Sequence, residues 1–380
     1  SNSGTMSCPN TLAPEVKKAL STATQLHHVL VTGGAGYIGK HVVLQLLDAG
    51  HTVTASMRSS SRDAELRNAL YSHLQGSNEA KAEALSRLSV VELDLTCDAG
   101  WEDAMKSNID VLIHLASPVP IEEPTSEEEV TRPAIDGALR ALQAAHVAGV
   151  TRVIVTSSVA AVVNCNLPDE RSEYNESDWT DCRKSGISAY VKSKTLTERA
   201  IWDWCEQNAP EINVTTILPS FVLGAPLDKH YGSSVRKVEQ LLQGKQTKLP
   251  NYGYSCVDVT DIALMHLRAM ERPEQSIGKR FIGSAHCFLW IPEMAKLLHD
   301  AYPDKKIPYQ KASNDEIRKK ATENPSYRYV LLNLNKRRVL SNEQSCQLLG
   351  IQYRDPRESL LDTAQYLLAN FDKTDSTMMK

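Results

Sequence analysis

The sequence predicts an α/β protein: a Rossmann-type, doubly wound parallel sheet with a smaller C-terminal substrate-binding domain. Three observations predict it. Short apolar runs alternate with stretches of helical periodicity from about residue 28 to residue 218, the pattern of parallel strands joined by helical crossovers. A glycine-rich turn follows the first of those runs and opens the first helix, where a phosphate-bearing ligand can approach the backbone. After Pro219 the alternation loosens, and Pro226, Pro250, Pro273, Pro292, Pro303 and Pro308 punctuate shorter elements, as in a second, less regular unit.

Each element has its own signal. Residues 1–25 are polar, carry no apolar core of a signal peptide and read as a flexible arm. His28–Thr32 is a short apolar strand, and Gly33–Gly39 is the turn. His41–Asp48 has apolar residues at helical spacing and stops at Ala49-Gly50, a C-terminal signal. His51–Ser56 is the second strand, which completes a crossover unit of about 30 residues. Residues 60–87 are polar with Leu and Ala at helical intervals. Leu88–Leu93 and Val111–Ala116 are strands, the latter apolar throughout, as a strand buried on both faces should be. Pro133–Ala148 is a helix, Arg152–Ser157 a strand, Val191–Gln207 a helix and Asn213–Leu218 a strand. Val257–Met270 reads as a strand end running into a helix. The predicted division is a cofactor-binding domain of residues 26–218 plus 254–272, a substrate-binding domain of 219–253 plus 273–370, and a flexible tail of 371–380. The second domain should cover the carboxyl ends of the strands, where ligands of such sheets bind.

Composition excludes several function classes. The net charge is −4 and no long basic run occurs, so the electrostatic footprint of a nucleic-acid binder is missing. The short acidic run Glu127–Glu129 reads as a solvated helix start. No apolar stretch approaches the ~20 residues needed to span a bilayer. The eight cysteines form no metal-ligand spacing and read as reduced thiols of a cytoplasmic protein with no metal site. Monomer and homodimer both remain open.

The turn reads Thr32-Gly33-Gly34-Ala35-Gly36-Tyr37-Ile38-Gly39. Gly33, Gly36 and Gly39 leave the backbone open to a pyrophosphate, and the helix that follows offers free N–H groups and the positive end of its dipole. An NAD site usually places a carboxylate at the end of the second strand to bind the ribose 2′-hydroxyl. Here the strand runs Ala55-Ser56-Met57-Arg58. Arg58 suits a 2′-phosphate, which predicts NADPH/NADP+ rather than NAD. Asp94, ahead of Leu95 at the end of the third strand, is placed to accept from an adenine amine.

Tyr190 and Lys194 stand four apart, on one face if the segment is helical. A free phenol titrates near ~10, and a neighbouring ammonium should favour the phenolate and lower that value. Such a phenol can protonate the oxygen formed when hydride reaches a carbonyl. Ser158, at the end of the Thr156-Ser157-Ser158 strand terminus, is the expected hydrogen-bond donor to that oxygen. Ser157 reads as a capping hydroxyl and His114 as a satisfied core histidine. No Gly-x-Ser-x-Gly nucleophile elbow occurs.

Taken in order, the glycine turn, Asp94-Leu95, His114-Leu-Ala-Ser-Pro118, Thr156-Ser-Ser158 and Tyr190-x-x-x-Lys194 resemble the extended short-chain dehydrogenases. Ala55-Ser-Met-Arg58, Tyr174-Asn-Glu-Ser-Asp-Trp179, Ile217-Leu-Pro-Ser220 and Val257-Asp-Val-Thr-Asp-Ile-Ala263 are most similar to the branch of dihydroflavonol reductases, cinnamoyl-CoA reductases and yeast methylglyoxal or ketone reductases. The resemblance spans residues 28 to 350. It implies that Tyr190 is the proton donor, that Lys194 holds the nicotinamide ribose and tunes Tyr190, and that Ser158 orients the carbonyl. It further implies that Tyr37 and Ile38 line the cofactor site and that Arg58 meets the adenosine phosphate. Ala116 and Pro118 would lie beside the phosphate and ribose, and Pro219 beside the nicotinamide. Two positions depart from the branch: Arg132 replaces an asparagine before Pro133, and Asn164 is offset by one residue from the asparagine with which plant reductases hold a flavonoid. The expected activity is NADPH-dependent reduction of an aldehyde or ketone, or oxidation of the matching alcohol, with a small-molecule substrate that the resemblance implies is apolar or aromatic rather than highly charged. A nucleotide-sugar epimerase or dehydratase with retained NAD, and an NADPH-binding sensor or scaffold without turnover, are the alternatives.

Overall fold

The computed structural model describes residues 25–117, 126–324 and 326–374; the arm expected over 1–25 lies almost wholly outside them. The first crossover unit is β1 (His28–Thr32), α1 (Tyr37–Asp48) and β2 (Thr52–Met57). Helices α2 (Asp63–His73) and α3 (Asn78–Ser86) fill the polar stretch before β3 (Leu88–Glu92). A short α4 (Trp101–Met105), β4 (Val111–His114), α5 (Glu128–Val147) and β5 (Arg152–Thr156) follow. Next come β6 (Glu173–Tyr174), α6 (Ala189–Asn208), β7 (Asn213–Pro219), β8 (Phe221–Leu223), α7 (Ser233–Leu242), β9 (Gly253–Asp258) and α8 (Val259–Glu271). The chain ends with α9 (Pro273–Ser276), β10 (Arg280–Gly283), β11 (Phe288–Trp290), α10 (Ile291–Ala301), α11 (Asn314–Glu323), α12 (Ser326–Leu332), β12 (Val339–Leu340) and α13 (Pro356–Thr374).

Seven strands form the central sheet in the order β3-β2-β1-β4-β5-β7-β10, every neighbouring pair parallel. Strand order reverses between β1 and β4, and open parallel sheets bind ligands outside such a switch point. β1 shows why the sheet is continuous. Val29 and Val31 face one apolar cluster and Leu30 faces the other, so both faces are covered. All three are fully buried, each contributing roughly 2 kcal/mol. Helices α1 and α8 pack together on one face, and α5 and α6 on the other.

The remaining elements build above the carboxyl ends. β8, β9 and β11 form a three-stranded sheet, and β6 pairs with β12. The expected division meets two facts. Arg280–Gly283, expected in the second domain, pairs with Thr216–Pro219 of the central sheet. Gly253–Asp258 pairs with β8 and β11, whereas the α8 that follows packs on α1. The 371–380 tail is helical through Thr374, as part of α13; residues 375–380 lie outside the described residues. Among the described residues no helix is long and apolar enough to cross a membrane, and the seven described cysteines form no disulfide.

Candidate active site

The glycine turn is held by its own backbone. Gly33 adopts φ +68°, a left-handed conformation that a side chain would strain. Its carbonyl accepts the Gly36 N–H at 2.9 Å. A Cβ on Gly39 would lie 2.2 Å from that same carbonyl oxygen, and one on Gly33 would lie 3.1 Å from the Ala116 backbone. Gly36 stands at the start of α1 with no side-chain cap, so the first-turn N–H groups stay available to an anion. This cradle fits a dinucleotide pyrophosphate. Tyr37 locks it from behind, its hydroxyl donating to the Gly224 carbonyl at 2.8 Å; burial pushes this phenol well above its usual pKa.

The expected adenosine side is more open. Arg58 is exposed at the end of β2. Arg62, which sequence reasoning did not single out, stands four residues further on and donates to the Ala35 carbonyl within the glycine turn at 3.4 Å. Asp94 accepts from the Thr96 N–H at 2.8 Å and the Thr96 hydroxyl at 2.7 Å, which holds its carboxyl below the usual range. Its Oδ1 is thus engaged in a turn. Leu95 packs against Gly137 of α5, where a Cβ would come within 2.8 Å. Pro118 lies outside the described residues.

The reactive side chains come from the ends of β5 and α6. Ser188 caps α6, its hydroxyl accepting the Val191 N–H at 3.3 Å, and this puts Tyr190 in the first helical turn with Lys194 one turn along. Ser158 Oγ accepts the Ala160 N–H at 3.1 Å and is hydrogen-bonded to the Tyr190 hydroxyl. Ser157 Oγ instead donates to Glu198 at 2.7 Å, away from Tyr190. The two adjacent serines therefore have different partners.

The electrostatics differ from the expectation that Lys194 pulls the Tyr190 phenol down. The surrounding protein raises the Tyr190 pKa, and the bond to Ser158 is what opposes the rise. Burial lowers Lys194 to about 8, while the Glu198 carboxylate works the other way. Tyr190 is 45% exposed on the cavity wall and Lys194 half-buried behind it, and the protein packed around each disfavours its charged form. His114 is a core residue. Thr32 Oγ1 accepts the Leu115 and Ala116 N–H groups, both at 3.1 Å, so its own proton goes to His114 Nδ1 at 2.9 Å. The imidazole is neutral, its pKa lowered to about 4 by burial.

One cavity of about 630 Å³ joins these parts: Gly33, Gly36, Tyr37, Ile38 and Gly39 at one end, Ser158, Tyr190, Lys194 and Pro219 along the wall, and an aromatic chamber beyond. Phe221, Tyr252, Tyr254, Phe288 and Tyr329 line the chamber, with Phe221 stacked on Tyr254 at 4.1 Å between centroids. Arg58, Asp94, Leu95 and Ala116 do not line this cavity. Lys237 and Arg338 do line it. Both come from the irregular second half of the chain, where no motif or spacing announces them.

The model of the NAD dependent epimerase/dehydratase family matches residues 29–282. The NADPH-dependent methylglyoxal reductase GRE2 of Saccharomyces cerevisiae is 28% identical over 359 residues, covering 90% of this chain and 98% of its own. Tetraketide alpha-pyrone reductase 2 of Arabidopsis thaliana is 30% identical over 294 residues, covering 76% and 86%. Among solved structures, yeast methylglyoxal/isovaleraldehyde reductase Gre2 complexed with NADPH superimposes with a TM-score of 0.73 at 26% identity, covering 91% of this chain and 99% of that one.

Proposed function

The chain belongs to the NAD dependent epimerase/dehydratase family, and we propose that it is an NADPH-dependent carbonyl reductase acting on a small aldehyde or ketone. The observation that carries the proposal is continuity: the cavity that starts at the glycine cradle runs without interruption past Ser158, Tyr190 and Lys194. A cofactor lying along it would bring its nicotinamide beside a phenol already bonded to a serine hydroxyl. The similarity to NADPH-dependent reductases supports the same reading.

Bound NADPH would supply the hydride. Gly33, Gly36 and Gly39 keep the backbone open to the pyrophosphate, with Tyr37, Ile38 and Ala116 around it and Pro118 placed there by the resemblance alone. Arg58 binds the 2′-phosphate, and Arg62 stands close enough to the turn to assist. Asp94 and Leu95 would border the adenine, and Pro219 the nicotinamide. Ser158 hydrogen-bonds the substrate oxygen and orients the carbonyl. Tyr190 holds its proton at neutral pH, as its raised pKa requires, and releases it to the oxygen as negative charge develops there. Lys194 steadies the phenolate left behind and holds the nicotinamide ribose. With β10 counted in the central sheet, residues 26–218, 259–272 and 280–283 form the cofactor half, and most of the remainder forms the substrate half. The free thiols fit a cytoplasmic protein.

The test is consumption of NADPH and of NADH with a panel of aldehydes, diketones and aryl ketones. NADPH should be oxidised in preference to NADH, and Tyr190→Phe should abolish turnover while still binding NADPH. Folded protein that oxidises neither cofactor with any member of the panel would refute the reading.

A further inference from the structure

Among the described residues, the cavity is lined by three cations, Lys194, Lys237 and Arg338, and by no carboxylate. Lys194 belongs to the reaction centre. The other two line the same cavity with no carboxylate beside them among its lining residues, and the Arg338 charge acts on Tyr252 of the aromatic chamber. Lys237, in the second turn of α7, makes no hydrogen bond or ion pair among the described residues, and burial is the one influence on its titration. Arg338 is held but not neutralised. Its Nη2 donates to Asn164 Oδ1 at 3.3 Å and to Asn333 Oδ1, and it is hydrogen-bonded to Tyr174. Asn164 and Asn333 are both buried. Neutral amides of this kind fix the direction of a guanidinium and leave its charge to be spent on something else. Asn164 itself does not line the cavity; it braces the arginine that does.

Half-buried cations without a counter-charge cost stability, and two of them lining one cavity suit an anionic ligand. We propose that the substrate carries an anionic group, a carboxylate or a phosphate, on an apolar or aromatic body, and that Arg338 and Lys237 bind that group while the aromatic side chains hold the body. This inference rests on the carbonyl reductase reading and narrows its substrate class. In the reaction the anionic group is a bystander. Hydride adds to the carbonyl carbon, the Tyr190 proton goes to its oxygen, and NADPH is oxidised to NADP+.

The experiment compares matched substrates: benzoylformate against its methyl ester, and an aldehyde bearing a phosphate against the unphosphorylated aldehyde. The expected result is an anionic member preferred by about tenfold or more in kcat/KM, the scale of one charge-assisted contact; the preferred pair identifies the group. Arg338→Gln and Lys237→Met should each erase most of that preference through KM, with the KM for NADPH unchanged. Arg338→Lys, which keeps the charge, should retain most of it. Equal or better turnover of the neutral partners by the wild-type enzyme would overturn the proposal. So would variants that raise the KM for NADPH and leave substrate preference intact, since the cations would then serve the cofactor. Calorimetric binding of benzoylformate and the phosphorylated aldehyde, without turnover, separates the two readings. Binding that Arg338→Gln weakens, in a protein that reduces nothing, leaves the anion site standing and sinks the reductase. Reduction of neutral carbonyls with no anion binding does the reverse.

Discussion

A methyl group at position 39 would come within 2.2 Å of the Gly33 carbonyl oxygen, a contact that backbone on both sides cannot relieve. Gly39→Ala should therefore open the turn. Overpacking of this kind costs about 1–3 kcal/mol, and NADPH affinity should fall at least tenfold, read by fluorescence titration beside thermal unfolding. Gly149→Ala is the control. That glycine has φ +74° but nothing within 4 Å of its would-be Cβ, so the change should cost roughly 1 kcal/mol and leave affinity untouched. Such glycines are legible in a sequence because a backbone requirement fixes their spacing. Tyr190 and Lys194 are legible for the same reason, through the helical repeat. Lys237 and Arg338 lie 101 positions apart in segments with no common period; only the folded chain brings them to one cavity. The electrostatics were not legible: the four-residue spacing suggests a cation acting on Tyr190, whereas its surroundings and the Ser158 hydroxyl set its titration.

At the scale of elements, α6 carries the site on one face. Tyr190 and Lys194 meet the cavity, and Glu198, one turn further, enters the core. There it accepts from Ser157 at 2.7 Å, Thr216 at 2.9 Å and Arg280 Nε at 2.8 Å, while Trp179 stacks on the Arg280 guanidinium at 3.6 Å. This network fixes β5, α6, β7 and β10 to one another beneath the reaction centre. Glu198→Gln should leave Arg280 as a buried, uncompensated cation, at a cost of about 3–5 kcal/mol. Urea unfolding measures it, and Glu198→Gln with Arg280→Met should recover part of the loss; equal stability of the single variant and the wild type would show that the charge is not needed. Glu198 was not read from the sequence because a buried carboxylate looks like any helix-surface Glu until its partners are known. Helix α5 shows the opposite error. Pro133, taken as the opening residue, sits at the sixth helical position of Glu128–Val147. The helix starts at the acidic run, which reads in the sequence as a separate solvated helix start, in keeping with the favourable placement of carboxylates at a helix N-terminus. β10 escaped assignment to the central sheet because a strand of four residues after two helices has no crossover pattern of its own.

For the molecule as a whole, the two halves are joined around α1. Tyr37 reaches Gly224, and Lys40 is buried against Asp228 and donates to the His230 carbonyl at 3.0 Å. The cofactor cradle and the segment leading into α7 should therefore unfold together, and a single pH dependence should describe both. Four histidines, His41, His51, His114 and His266, are buried, and burial lowers each to about 4 from the ordinary 6.5. Between those values the unfolded chain binds protons that the folded chain refuses, so stability is full above about pH 6.5 and falls as pH drops toward 4. Each such histidine is worth about 3 kcal/mol by the lower limit. Asp261 runs the other way. Burial raises it to about 6, so the folded state holds a proton that the unfolded chain has released, and its contribution to stability grows as pH falls from about 6 toward 3.8. The histidines outnumber it. At pH 5 unfolding should take up roughly three protons, measurable as the slope of unfolding free energy against pH or by calorimetry in buffers of different ionisation enthalpy. A stability that stays flat from pH 7 to pH 4.5 would mean that these imidazoles reach water or a partner in the folded protein, and the packing of α1 and α8 against the sheet would need to be redrawn.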